Sequence, residues 1–194
     1  QLEFYSAVAM TELKRYEDAI RHYTAAEVIA GATAPEHLTY LFYFQSGVAY
    51  ERAKRFDDAA VQFEKAVELK PDFADALNYL GYMWAERGTN LDRARELIQR
   101  AVDLEPDNGA FLDSLAWVLH QMGRSGEALP LQERSITLIE KPDATLQDHL
   151  GDILHKLGRT EDARKAWERA QAIEGKPEVE KKLRDLAPAA PATP

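Results

Sequence analysis

Cysteine is absent from the 194 residues, which excludes disulfides, thiol nucleophiles and Cys-type zinc or iron–sulfur sites. Positive charge is scarce: 24 Lys and Arg stand against 33 Asp and Glu, a formal balance of −9. Proteins that grip a phosphate backbone need clustered cations that displace counterions, so nucleic acid is not expected as a partner. Long apolar runs are missing too. Stretches such as Leu41 to Phe44 fall far short of the roughly 20 residues of a membrane-spanning helix. No Gly-rich phosphate loop, GxSxG elbow or HExxH pair is present, so neither catalysis nor a cofactor is expected. With 45% apolar and 29% charged residues, the body of the chain has the composition of a folded domain. It begins at Gln1, already inside a helical pattern, and is expected to be a fragment of a longer chain.

What the sequence does have is a period. Pro35, Pro71, Pro106, Pro142 and Pro177 are separated by 36, 35, 36 and 35 residues, with Ala19, Ala59, Ala94, Ala128 and Ala163 recurring between them. A second series of small residues, Ala7, Gly47, Gly81, Ala116 and Gly151, lies about twelve residues before each of those alanines, as two helices touching through small side chains require. Between the series the apolar spacing is helical: Tyr43, Gly47 and Tyr50 form one stripe, and Phe56, Ala59, Phe63 and Ala66 form a second after a short break. The breaks read Lys14-Arg15-Tyr16-Glu17-Asp18, Lys54-Arg55-Phe56-Asp57-Asp58, Gly123-Arg124-Ser125-Gly126-Glu127 and Gly158-Arg159-Thr160-Glu161-Asp162. Basic residues thus close one helix and acidic ones open the next, as the two macrodipoles favour. In the third unit Gly88-Thr89-Asn90 makes the turn one residue longer, with Asn90 expected to cap the following helix.

This pattern resembles the tetratricopeptide repeat, whose period is about 34 residues. Tyr43, Gly47, Tyr50, Phe56, Ala59, Phe63, Ala66 and Pro71 carry the resemblance in the second unit. Leu77, Leu80, Gly81, Trp84, Ala94, Ala101 and Pro106 carry it in the third, and Leu150, Gly151, Leu154, Ala163, Trp167 and Ala170 in the fifth. The fourth departs from it, placing Gln132 and Ser135 where bulky and small apolar groups are usual. The resemblance implies an all-α, right-handed superhelical solenoid of five helix pairs, with repeats at about 1–35, 40–73, 74–108, 109–142 and 144–177. Residues 178–186, with Val179, Leu183 and Leu186 on one stripe, are expected to form a capping helix. The single solenoid domain therefore spans 1–186, and the Pro/Ala-rich stretch 187–194 reads as an extended tail or linker.

In such an array the concave face is lined by the first helix of each pair. That register contains Phe44 and Val48, then Asn78, Tyr82 and Glu86, then Asp113, Trp117 and His120, and finally Asp148, His149, Asp152 and His155. Tyr82 and Trp117 are the aromatic anchor candidates, of the type that dominates interfaces, and the aspartates form an acidic rim. The function implied is a non-enzymatic scaffold or adaptor that holds a segment of another protein in this groove. A carboxylate clamp of the co-chaperone type is missing, because the matching positions, Phe44, Val48, Tyr79, Ala110 and Ser114, supply no cation. The ligand is therefore expected to be apolar or basic. Two alternatives stand beside this reading. Asp148, Asp152 and His155 share one helical face at a spacing that suits a divalent metal, and self-assembly into a homo-oligomer is the other. The stretch from Tyr79 to Trp117 also resembles C-terminal arrays of bacterial adaptors, several of them exported lipoproteins. This implies a periplasmic or outer-membrane-associated setting, with the cytoplasm as the alternative.

Overall fold

The computed structural model describes residues 2–186; the tail 187–194 lies outside the described residues. Within them the spacing of three and four becomes eleven α-helices. These are α1 (Leu2–Glu12), α2 (Tyr16–Thr33), α3 (Tyr40–Arg52), α4 (Phe56–Leu69), α5 (Ala74–Glu86), α6 (Leu91–Leu104), α7 (Gly109–Gln121), α8 (Ser125–Leu138), α9 (Ala144–Lys156), α10 (Thr160–Ile173) and α11 (Pro177–Asp185). A short 3-10 turn, Pro35–His37, follows α2 and is not foretold by the spacing. The described residues contain no strand, and none of their helices is long and apolar enough to cross a membrane.

The turn inside each pair is built the same way. Lys14, Lys54, Gly88, Gly123 and Gly158 all adopt positive φ, between 48° and 77° with Asn90 included. The amide that follows each reaches back five residues: Arg15 to Met10, Arg55 to Tyr50, Thr89 to Trp84, Arg124 to Leu119 and Arg159 to Leu154. Together with the i→i−3 bond of the positive-φ residue, this is a Schellman closure, which satisfies the last carbonyls of the first helix. Arg15, Arg55, Arg124 and Arg159 then occupy the N-cap of the second helix and pair with Asp18, Asp58, Glu127 and Asp162 three residues on. The charges flanking the breaks thus pair with one another as well as with the dipoles. Asn90 does sit at the N-cap of α6, but at φ 48° its side chain makes no capping hydrogen bond. The longer third turn uses it for its tolerance of the left-handed region. Conventional caps instead open the first helices, where Thr39, Asn108 and Asp143 each accept from backbone amides of the first turn.

The helices fall into two compact units, residues 1–83 and 84–194. In the first, Ala7, Ala19, Tyr23, Phe42 and Ala49 form the buried centre. α3 and α4 meet where Gly47 faces the ring of Phe63 so closely that a Cβ would lie 2.7 Å from it. In the second, α9 and α10 meet at Gly151 and Trp167, where a Cβ would lie 2.3 Å from the indole. The small-residue series therefore marks helix contacts, as the period required. α11 and its C-cap close this unit by placing Val179 and Leu186 against Leu154, Ala163, Trp167 and Ala170. Burying two such side chains contributes about 1.5–3 kcal/mol each.

Candidate functional site

In the first unit the aromatic side chains chosen from the sequence pack inward more than outward. Phe44 is half-buried and meets Phe63, Phe73 and Tyr79 at ring-centroid distances of 5.9, 5.0 and 5.2 Å. Val48 and Tyr82 are half-buried, and Asn78 is buried. A hollow of about 570 Å³ in this unit, lined by Leu2, Phe4, Tyr5, Ile29, Leu38 and Phe42 among others, has no counterpart among the residues expected from the sequence.

The second unit brings more of the named residues together. Asp113 of α7 is buried, and its Oδ1 accepts from Gln132 Nε2 of α8 at 2.7 Å and from His149 Nδ1 of α9 at 2.9 Å. Gln132 Nε2 also donates to the carbonyl of Leu146 at 2.9 Å, tying three helices through one amide. The other ring nitrogen of His149 lies 3.9 Å from a carboxylate oxygen of Glu86, at the end of α5. The Trp117 ring stacks on His149 at 4.1 Å with 13° between planes, and on His120 at 5.2 Å with 21°. His120 in turn meets Ser125 Oγ at 3.0 Å. Burial opposes charge on His149, but the charge and hydrogen bond of Asp113, aided by Glu86 and Asp148, outweigh it and hold its pKa above the ordinary histidine value. For His120 burial prevails, with His149 and nearby lysines adding to it, and its pKa is lowered.

The acidic cluster of the last pair is already occupied. Lys182 of α11 donates to Asp148 Oδ1 at 2.6 Å and to Asp152 Oδ2 at 2.8 Å, and Trp167 Nε1 donates to Asp152 Oδ1 at 3.2 Å. Burial works against the Lys182 charge, yet its bonds to the two aspartates raise its pKa. His155 is exposed and lies against Trp167 at 5.5 Å. The metal constellation expected of Asp148, Asp152 and His155 is thus not assembled: an ammonium holds both carboxylates. Among the described residues no group of three or more His, Asp or Glu side chains is arranged to hold a metal. Of the three aspartates expected to form an acidic rim, Asp148 and Asp152 pair with Lys182, and Asp113 is buried against Gln132 and His149.

Tetratricopeptide-repeat models match residues 40–73, 85–145 and 144–177. The chain belongs to the tetratricopeptide repeat family. Solved structures of similar fold include MamA from AMB-1, at 18% identity and TM-score 0.69, covering 94% of this chain and 99% of that one. A second MamA structure, at 19% identity and TM-score 0.68, covers 98% and 97%. The thermophilic TPR protein TTC0263 of Thermus thermophilus, at 14% identity and TM-score 0.72, covers 96% and 97%. No curated protein sequence matches the chain. The all-α solenoid class expected from the repeat is the observed one.

Within the tetratricopeptide frame, the two departures of the fourth repeat acquire a purpose. Gln132 stands where Phe63 and Trp167 stand in other repeats and serves Asp113 instead of filling the core. Ser135 donates to the carbonyl of Gly109 at 2.7 Å, and a Cβ on Gly109 would lie 3.1 Å from the Ser135 carbonyl. The polar substitutions are legible in the sequence; their partners, Asp113 and the Gly109 carbonyl, are not. Lys182 escapes the sequence reading because its segment has the pattern of a cap, although it sits beside Leu183 on the edge of the apolar stripe, where a long side chain reaches the neighbouring helix.

Proposed function

We propose that the chain is a non-enzymatic adaptor that holds an apolar or basic segment of a partner protein on its first-helix face, centred on Trp117. Tetratricopeptide repeat proteins are generally protein-interaction scaffolds, and that coarse function comes with the family. The single observation that supports the finer reading is Trp117: half-buried, with its ring plane held by His149 and His120. A large aromatic with its orientation fixed in advance loses little entropy on binding, which is what makes such residues anchors. Glu86, exposed beside this stack, supplies negative charge that Lys182 does not neutralise. The test is capture of a partner by the purified chain, identification of the bound protein, and measurement of its affinity for the Trp117→Ala variant. A loss of more than about tenfold, the scale of a hot-spot truncation, with helicity unchanged supports the reading; unaltered affinity removes it.

A further inference from the structure

His149 is the one histidine of the second unit enclosed on every side by groups that respond to its charge. It is 4% exposed. α7 presents Asp113, Trp117 and His120 to it, and α5 presents Glu86. α8 acts on it through Gln132, which shares the acceptor oxygen of Asp113. Its own helix adds Asp148 and Asp152, both held by Lys182 of α11. Both ring nitrogens face carboxylates, at 2.9 Å and 3.9 Å. A neutral imidazole protonated at one nitrogen turns the acceptor lone pair of the other toward a carboxylate oxygen that is itself only an acceptor; the imidazolium puts a proton at both nitrogens. The face of Trp117, negative by its quadrupole, favours a cation stacked on it.

We propose that His149 is the positioning residue of the Trp117 surface, held as an imidazolium between the Asp113 and Glu86 carboxylates, so that loss of one proton loosens α9 from α7 and frees the indole plane. This deepens the adaptor reading, because it makes the anchor's readiness for a partner depend on pH. The sign follows from the raised pKa. The stabilisation is complete below the ordinary histidine value of about 6.5 and is lost as pH rises through the midpoint of the folded state.

The test needs no partner, so its failure leaves the adaptor reading standing, just as an unaffected Trp117→Ala affinity leaves this proposal standing. Nitrogen-15 shifts of the histidine rings are followed from acid to alkaline pH on the unmodified chain, with His149 assigned by its absence in His149→Gln. The expected result is two protonated nitrogens on His149 below pH about 6.5, a midpoint above that value, and a Trp117 indole N–H resonance that moves with the same midpoint. In Asp113→Asn the midpoint is expected to shift downward. Should His149→Gln fail to fold, the remaining four histidine signals, in sites exposed or half-buried, leave the most buried ring to be assigned by its contacts to Trp117. A neutral His149 with a single tautomer at pH about 6.5, or a Trp117 signal indifferent to the His149 titration, overturns the proposal.

Discussion

Replacing Gly151 with alanine adds a single methyl group and tests the central packing argument. Alanine is favoured over glycine inside a helix by about 0.8–1 kcal/mol, so propensity alone predicts a more stable protein. The structure predicts the opposite. A Cβ at residue 151 lies 2.3 Å from two ring atoms of Trp167 and 2.8 Å from a third, whereas carbon atoms in contact sit about 3.5–4.0 Å apart. The indole has little freedom to retreat, being 3% exposed and tied through Nε1 to Asp152. Overpacking of this kind costs about 1–3 kcal/mol, and an overlap beyond about 1 Å against a fixed ring belongs at the upper end. After the propensity gain the net loss is about 1–2 kcal/mol, or a fall in Tm of about 2–8 °C for a chain of this length. Repeat arrays unfold unit by unit, so hydrogen exchange of α9, α10 and α11 reports the loss more directly than a global melt. Gly126→Ala is the control: nothing lies within 4 Å of that Cβ, and the variant should be as stable as the parent or slightly more so. A Gly151→Ala protein with unchanged or raised Tm and unchanged exchange in α9–α11 would refute the helix contact.

Two further substitutions probe polar contacts of the second unit. Gln132→Leu restores the bulky apolar residue usual in the family yet strips Asp113 and the Leu146 carbonyl of a donor. Asp113 keeps its bond to His149 but two buried hydrogen bonds, one of them to a carboxylate, are lost, at a cost of about 1–3 kcal/mol, so denaturant melts should show a loss, and a gain would mean that the network contributes nothing. Lys182→Met keeps the aliphatic stem but leaves Asp148 and Asp152 as two facing carboxylates without their cation. Protection of the α11 amides, taken relative to their intrinsic exchange rate at each pH, should fall and then recover as pH falls and the carboxylates protonate; protection equal to the parent's at every pH would show that the ion pairs do not hold the cap.

The fold is legible in the sequence because its signals are repeated and local. Each turn carries its own positive-φ residue and each helix pair its own small contact, so five weak copies reinforce one another. Side-chain partnership between helices is not legible. His149 and Asp113 are 36 residues apart and Lys182 and Asp148 are 34 apart, about one repeat in each case. The repeat puts these partners on the same face but leaves open whether aspartate meets solvent, metal or lysine. Trp117 illustrates the limit: its register follows from the repeat, but the two imidazoles that hold its plane come from the adjacent turn of α7 and from the next pair.

The most direct measurement of the central claim is the affinity of an identified partner for three versions of the chain: unmodified, Trp117→Ala and Glu133→Ala, the last an exposed change on the second helix of the same pair. The account predicts that Trp117→Ala weakens binding more than about tenfold, with the same helical circular dichroism, while Glu133→Ala binds as the parent does. Normal binding by Trp117→Ala together with a loss in Glu133→Ala would contradict it and move the working surface to the second helices.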